Sequence, residues 1–188
     1  MKPRDDTKAR DILAATLHEV ERVGLAGLSI AAVARRAGVA TGTVYIYFKN
    51  KEALIEALYL ASKQELARLV FRDEGLPVRA AFSRMATAYL EYVIAHRADL
   101  VFIAQVANSP YVSEETRQTA AGGARPLIEL IERGKRERLL KELDTTLMIA
   151  FLQGTLRELA GFATAVPKAR RAACFEQIAT LCWDALKA

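Results

Sequence analysis

The sequence predicts an all-α protein, with a small amino-terminal helical domain and a larger helical domain after it. No segment of the 188 residues alternates apolar and polar residues over the length of a strand, whereas apolar residues recur at spacings of three and four. Glycine and proline are few, ten and five residues respectively, and they occur at breaks between the periodic segments. A hydrophobic fraction of 52% provides enough apolar surface for a core. The pattern divides into about nine helices.

Four helices are expected in the amino-terminal part of the chain. Gly24 and Gly27 end the first helix, because glycine readily adopts the conformation that closes a helix. Ser29 and Asn50 are suitable N-cap residues for the second and the fourth helix. Gly38 stops the second helix and can make the tight turn before the third. The expected spans are about 7–23, 29–36, 40–46 and 50–71.

Five further helices are expected in the remainder of the chain. Ser113 and Asp144 are suitable caps for the seventh and the eighth. The segment AGGARP, Ala121–Pro126, should kink or interrupt the seventh helix, because proline cannot continue the hydrogen-bond ladder. The predicted domains are residues 1–51 and 52–188, and the fourth helix would belong to both parts. The expected spans are about 78–96, 97–108, 113–134, 144–165 and 168–187.

Positive charge is concentrated at the amino-terminal end. The chain has a formal net charge of +5, and residues 1–51 hold nine Lys or Arg against five Asp or Glu. This excess indicates an anionic partner for that region, although a run of charge is more often a solvated face. The segment Lys2–Arg10 would add contacts to such a partner or form a solvated tail.

No grouping of residues supports a catalytic or metal site. Cys174 and Cys182 would lie about 12 Å apart along one helix, too far for a disulfide, and are expected to be packed free thiols. His18 and His96 have no second ligand at helical spacing. We therefore expect no enzyme, no cofactor and no metal.

No membrane partner is expected either. The chain has no apolar run of 18 or more residues, which a membrane span requires. The first ten residues, MKPRDDTKAR, lack the apolar stretch of a secretory signal. The cytoplasm is the expected location.

The stretch IAAVARRAGVATGTVYIYF, Ile30–Phe48, has the spacing of a helix-turn-helix. A small residue, Ala34, lies four positions before Gly38, and two valines lie one and six positions after it. Ala34 leaves room for close crossing of the two helices, and the valines form a small core that fixes the crossing angle. Many helical hairpins share this spacing, so the spacing alone does not indicate DNA binding. The side chains outside that core provide the further evidence on function.

Those outer side chains are suited to a DNA duplex. In a helix-turn-helix the first turns of the last helix reach base edges in the major groove. Threonine methyl groups can contact thymine methyls, and hydroxyls can bond bases or phosphates. Phe48 is expected in the core, whereas Tyr45 and Tyr47 cannot both point inward. The predicted DNA-binding residues are Ser29, Thr41, Gly42, Thr43, Tyr45, Tyr47, Lys49 and Lys51.

The segment LSIAAVARRAGVATGTVYIYFKNKEALIEALY resembles the DNA-binding region of the tetracycline-repressor (TetR) family of bacterial transcription regulators. The resemblance covers about residues 8–60. Ala40 departs from the serine that caps the third helix in many relatives, and losing such a cap costs about 1 kcal/mol. The resemblance rests on three features: an aromatic-rich third helix, a Phe directly after it and a Lys at the start of the fourth helix. The residues are Tyr45, Tyr47, Phe48 and Lys51.

The resemblance implies a ligand-responsive transcriptional regulator, expected to be a repressor. It would bind a pseudo-palindromic operator as a homodimer and be released by a small effector bound in the larger domain. The fourth helix would connect the two parts. The alternatives are a helical protein-interaction adaptor and a helical enzyme without DNA binding. The adaptor predicts that Tyr45→Ala and Lys51→Ala leave duplex binding unchanged.

The last two predicted helices are candidates for the dimer interface. The helix at 144–165 has a stripe of small residues opposite an apolar stripe, so both sides can be buried. This suits a four-helix bundle formed by two chains, and the alternative is a central helix in a monomeric bundle. The two stripes are Ala150, Gly154, Arg157 and Gly161, and Met148, Leu152, Leu159 and Val166; on the final helix Cys174, Ile178, Leu181 and Ala185 share a face.

A ligand pocket is expected among helices four to eight, opening where AGGARP disturbs the seventh. Its lining is mostly apolar, which favours a hydrophobic or aromatic effector. Arg125 and the basic run Arg133–Arg138 could meet an acidic group on that effector, such as a carboxylate or a coenzyme A phosphate, although the run is first an exposed helix end. The candidate lining residues are Met85, Tyr89, Tyr92, Phe102, Gln105, Asn108, Arg125 and Phe151.

Overall fold

A computed structural model describes residues 6–71, 75–107 and 109–188, and within them the chain forms ten α-helices. These described residues contain no strand, only an isolated antiparallel bridge between Leu140 and Lys187. The prediction of an all-α fold is confirmed. The helices are α1 (Asp6–Gly27), α2 (Ile30–Arg36), α3 (Thr41–Tyr47), α4 (Lys51–Val70), α5 (Val78–Ala95), α6 (Arg97–Val106), α7 (Glu114–Ala121), α8 (Arg125–Arg136), α9 (Thr145–Ala165) and α10 (Arg171–Leu186).

Side-chain caps begin several helices where the sequence predicts. The Ser29 hydroxyl oxygen accepts the backbone N–H of Ala32 at 3.2 Å, before α2. The Asn50 side-chain oxygen accepts a backbone N–H at 2.8 Å before α4, and that of Asp144 accepts one at 2.9 Å before α9. Each of these bonds satisfies a helix donor that would otherwise have no partner in the first turn.

Two predicted interruptions are also present. α1 is broken at Gly24, whose φ of 70° and ψ of 173° are not helical. The segment AGGARP interrupts the expected seventh helix, because Gly122–Ala124 forms a 3₁₀ turn between α7 and α8. One expected helix is therefore two in the structure.

The chain divides into two compact units. The first comprises Met1–Gln64 and Ala98–Ala120, and the second comprises Glu65–Arg97 and Ala121–Ala188. This grouping rests on compactness, so the functional division predicted at residue 51 stays a prediction.

The core of the first unit forms around α1 to α4. Ile12, Val33, Val44 and Leu54 are fully buried there, one from each of the four helices. Phe102, on α6, is 1% exposed and belongs to the same apolar cluster. The four amino-terminal helices thus share one core, which includes later parts of the chain.

Polar contacts fix α6 and α7 within the first unit. The Ser62 hydroxyl donates to the Asp99 carboxylate at 2.7 Å. A carboxylate oxygen of Glu56 accepts the backbone N–H of Ser113 at 2.7 Å, next to the start of α7. Arg117 donates to the carbonyl of Ala107 at 2.8 Å, so it satisfies an acceptor at the end of α6.

The second unit is built on α5, which packs against α9 and α10. Phe82 of α5 is fully buried, and its ring meets Trp183 of α10 edge-on, with centroids 5.4 Å apart. The guanidinium of Arg79 lies 4.9 Å from the centre of the Trp183 ring. Cys174 and Cys182 are buried free thiols, and burial raises the pKa of Cys182.

No helix in the described part of the chain combines the length and the apolar character that crossing a membrane requires. Among the same residues, no cluster of His, Cys, Asp and Glu could hold a metal ion.

Candidate nucleic-acid interface

The turn between α2 and α3 is closed by backbone geometry. Gly38 has a φ of 68°, which side-chain-bearing residues rarely adopt. The N–H of Val39 donates to the carbonyl of Ala34 at 3.0 Å. Val33, Ala34 and Val44 are buried, so α2 and α3 meet on small apolar side chains. The predicted helix-turn-helix is present.

Consecutive residues of α3 divide between core and surface. Val44 is fully buried, whereas Tyr45 is 52% exposed and Ile46 is 63% exposed. Ile46 was missed by the sequence prediction. Its position beside the tyrosine, one residue after a core valine, could have indicated it. Two large side chains on the outer face of a short helix can contact base edges, and isoleucine suits a thymine methyl.

The other two aromatic residues of this segment lie further inward. Tyr47 and Phe48 are half-buried and pack against the apolar cluster of the first unit. Their ring centroids are 6.4 Å apart, with the planes tilted by 38°. Tyr45 is therefore the more exposed phenol, as expected if only one of the two tyrosines could point inward.

The first turn of α3 is open to its surroundings. Thr41 and Gly42 are exposed, and Thr43 is half-buried. A Cβ atom added to Gly42 would meet no atom within 4 Å. Ala40 provides no side-chain cap for the helix. The fold itself therefore does not require a glycine at position 42, and the helix start presents uncapped backbone N–H groups.

Three more of the predicted DNA-binding residues surround this helix. Ser29 and Lys49 are exposed, and Lys51 is half-buried at the start of α4. The Lys51 ammonium lies 3.5 Å from the carbonyl of Ala26 and 5.8 Å from the centre of the Tyr111 ring. Lys51 thus contacts the end of α1 as well as standing where α4 begins.

Two family models together match most of the chain. One, described as bacterial regulatory proteins of the tetR family, matches residues 12–58. The other, described as a tetracyclin repressor-like C-terminal domain, matches residues 77–187.

The chain belongs to the TetR family. Its members are transcriptional regulators, not enzymes, so the predictions of a DNA-binding regulator and of a protein that is not an enzyme are confirmed.

Individual relatives agree with this assignment. The HTH-type transcriptional regulator BetI of Klebsiella pneumoniae is 38% identical over 79 residues, which are 42% of this chain and 40% of BetI. The chain thus matches less than half the length of that relative. A TetR-family regulator from Shewanella sp. PV-4 superposes with a TM-score of 0.83 at 28% identity, over 96% of this chain and 98% of that one. FadR of Bacillus subtilis, solved in complex with stearoyl-CoA, has a TM-score of 0.70 at 19% identity, over 92% and 96%.

A buried carboxylate paired with two exposed arginines joins α1 to α2 beside the TetR-type helix-turn-helix. Glu19 is 3% exposed, and its carboxylate accepts bonds from Arg22 at 2.7 Å and from Arg36 at 2.6 Å. These two guanidiniums, Arg22 first, hold the pKa of Glu19 at about 2, against an ordinary value of 4.5. Arg36 is the last residue of α2, so the pair contributes to the orientation of the motif.

Replacing Glu19 by Gln is expected to lower the melting temperature at pH 7 by several degrees, because both guanidiniums lose their anion. A carboxylate whose pKa is lowered by folding stabilises the folded state at pH values above its unfolded-state pKa. This contribution is lost as the pH falls through the folded-state pKa. The difference between wild type and variant should therefore shrink between about pH 4.5 and pH 2. Thermal unfolding followed by circular dichroism across that range measures it.

The matched control for this prediction is Glu21→Gln, an exposed carboxylate on the same helix. It should leave the melting temperature unchanged at every pH. A Glu19→Gln difference that stays constant from pH 7 to pH 2 would contradict the assigned role of the ionised carboxylate.

The predicted ligand-lining residues are dispersed in the structure. Met85 and Tyr92 are buried in the second unit, and Tyr92 stacks on His96 at 4.5 Å. Phe102 is buried in the first unit. Asn108 lies outside the described residues. The other four side chains are half-buried or exposed: Tyr89, Gln105, Arg125 and Phe151.

The second unit contains a cavity of about 400 Å³ between α5 and α8, with Phe71 at its edge. Of the predicted ligand residues that the structure describes, Met85 alone lines it. Arg133 and Arg136 of the predicted basic run also line this space, together with Arg84, which the sequence prediction did not name. Arg125 does not line it: its side chain is 80% exposed and pairs with Glu129 at 2.8 Å.

The stripes predicted for α9 are separated as expected. In the apolar stripe Met148 and Leu152 are 1% exposed, and Leu159 and Val166 are half-buried. In the small-residue stripe Gly154 is half-buried, and the other three residues, Ala150, Arg157 and Gly161, are exposed. A Cβ added to Gly161 would meet nothing within 4 Å, so the small-residue side faces open space in the single chain. Outside the predicted stripes, α9 also exposes three large apolar side chains: Leu147 at 60%, Phe151 at 39% and Phe162 at 64%.

The face predicted for α10 is divided by the structure. Cys174 and Ile178 are buried, whereas Leu181 is 63% exposed and Ala185 is also exposed. The buried side of α10 is rotated about the helix axis relative to the predicted face, and its centre consists of residues that the predicted face omits. The predicted face lies along the edge of that buried side, which explains the division. The omitted buried residues are Phe175, Ala179, Cys182, Trp183 and Leu186.

Proposed function

We propose that the protein is a ligand-responsive repressor that binds a pseudo-palindromic operator as a homodimer. The observation that carries this proposal is the outer face of α3, where Tyr45 and Ile46 are exposed on a helix held by a buried core. A rigid helix with two exposed large side chains at its outer face suits insertion in the major groove. Its DNA partner would place the protein in the cytoplasm.

The proposal of a homodimer rests on α9 and α10. Phe162 on α9 and Leu181 on α10 expose 64% and 63% of their surface in the single chain. Exposed large apolar residues at helical spacing indicate an interface, because they gain from removal from water. A pair of chains joined there would present two α3 helices, and each would contact one half-site of the operator.

Release by a small hydrophobic effector is the third part of the proposal. FadR of Bacillus subtilis, a fold relative of this chain, binds stearoyl-CoA. The cavity between α5 and α8 is of a size that small ligands occupy. The protein would have one arrangement that fits the operator and another that does not. A ligand releases DNA only if it binds the second arrangement more tightly than the first. The shift in population is then limited by the difference between these two affinities.

Selection of bound duplexes from a random pool, followed by sequencing, tests the DNA part of this proposal. The expected result is an inverted repeat with half-sites one helical turn apart. The affinity for that duplex should fall linearly with salt concentration on logarithmic axes, because Lys and Arg displace counterions. Tyr45→Ala should weaken binding roughly tenfold, since base contacts contribute about 1–3 kcal/mol of discrimination. Fluorescence anisotropy with a labelled duplex measures both effects.

Ile128→Ala is the matched control, because Ile128 is an exposed apolar residue, 41% accessible, on α8 rather than α3. It should bind the selected duplex like wild type. Absence of any enriched sequence, together with no duplex affinity at low salt, would contradict the proposal and favour a protein-binding adaptor.

A further inference from the structure

The cavity between α5 and α8 combines an apolar wall with a concentration of guanidinium groups. Met85, Leu127 and Leu130 contribute apolar surface to it. Arg84 lines it from α5, and Arg133 and Arg136 line it from α8. The two arginines on α8 are three residues apart, so they share one side of that helix. Three cations therefore line one small space.

Among the described residues that line the cavity, Glu129 carries the negative charge. Glu129 already accepts a bond from Arg125 at 2.8 Å, and Arg125 is not part of the lining. Within the described part of the lining, arginines therefore outnumber carboxylates. A cavity of this kind favours an anion within it, since burial strengthens electrostatic attraction.

Arg133 is held in place to receive such an anion. One of its terminal nitrogens donates to the carbonyl of Leu76 at 2.9 Å, which fixes the guanidinium. Its Nε is buried and has no hydrogen-bond partner within residues 6–71, 75–107 and 109–188. A buried donor without a partner is costly, and an oxygen anion in the cavity would satisfy it.

We propose that this cavity binds an anionic amphiphile, with its acidic head on Arg133 and Arg136 and its apolar body against Met85, Leu127 and Leu130. The identification of this ligand as the effector rests on the function proposed above. The binding site itself rests on the cavity alone. The charged wall selects the head group, and the volume of about 400 Å³ limits the apolar part to a medium-sized chain.

Three probes with the same ten-carbon chain test the proposal: decanoate, 1-decanol and decyltrimethylammonium. Each is titrated into the full-length protein by isothermal calorimetry, below its micelle concentration. We expect decanoate to bind roughly tenfold or more tightly than decanol, because charge-assisted hydrogen bonds are stronger than neutral ones. We expect the cation not to bind. Equal affinity for decanoate and decanol, or no binding of decanoate, would overturn the proposal.

Variants identify the site. Arg136→Met should weaken decanoate binding roughly tenfold and leave decanol binding unchanged. Arg136 is exposed, so this change removes little from the packing of the fold. Arg133→Met should act in the same direction. Leu130→Trp, which fills the cavity, should abolish binding of both probes. Arg97→Met, an exposed arginine outside the cavity, is the control and should bind decanoate normally. Unchanged decanoate affinity in Arg136→Met or Leu130→Trp would place the ligand elsewhere and overturn the proposal.

Duplex binding measured on the same preparations separates this proposal from the regulatory one. Decanoate binding without any operator affinity would support the site and contradict only the proposed function. Operator binding without decanoate binding would overturn the site and leave the proposed function intact.

Discussion

Replacing Phe162 and Leu181 together by Glu is expected to dissociate the proposed dimer into monomers. These two side chains are 64% and 63% exposed in the single chain, so the change removes little from the fold of one subunit. In the proposed dimer it would place four carboxylates in an apolar interface, where charges are strongly disfavoured. Light scattering after size exclusion measures the mass at micromolar concentration.

The same double variant should lose operator affinity by roughly a hundredfold or more. A dimer binds its second half-site as an intramolecular event, and this gain disappears in a monomer. Anisotropy with the selected duplex measures the loss. A variant that stays dimeric would exclude the exposed faces of α9 and α10 as the interface.

The control for the dimer experiment is Val101→Glu. Val101 is 48% exposed on α6, so it introduces the same charge at a similar exposed apolar position away from α9 and α10. It should remain dimeric and bind the operator like wild type. If Val101→Glu also dissociates the dimer, added charge rather than position would explain the result.

The helix-turn-helix could be predicted because its signals are local. Gly38 has the positive φ that the turn requires, and Ala34 and Val44 are buried at the spacings that the motif predicts. Caps such as Ser29 and Asn50 act within three residues of their own position. Interactions between residues so close in the chain can be predicted from the sequence, because both partners lie in one short segment.

Contacts between distant parts of the chain could not be predicted in the same way. Glu19 and Arg36 are seventeen residues apart, and nothing in either local pattern indicates that the carboxylate is buried. The cavity depends on the approach of α5 to α8, which brings Arg84 near Arg133. Helical periodicity gave the buried side of α9, but on α10 it missed Trp183, whose burial depends on Phe82 of another helix.

Gly42→Ala and Gly42→Leu are each expected to leave the fold intact and to weaken DNA binding. A Cβ at position 42 would meet no atom within 4 Å, so the fold accepts either side chain. Alanine favours a helix over glycine by roughly 0.5–1 kcal/mol, which should raise stability slightly. On DNA the added atoms would hold α3 away from the base pairs.

The expected loss of operator affinity is roughly tenfold for Gly42→Ala. For Gly42→Leu it should approach the level of non-specific binding, roughly a thousandfold weaker. Anisotropy with the selected duplex measures the operator affinity, and anisotropy with a scrambled duplex measures the non-specific affinity. Thermal unfolding measures stability.

Gly122 provides the matched control, because a Cβ there would also meet nothing within 4 Å and the residue lies outside α3. Gly122→Leu should bind the operator normally. If Gly42→Leu kept wild-type affinity, the first turn of α3 would not approach the duplex closely, and Tyr45 and Ile46 would have to account for recognition from further along the helix.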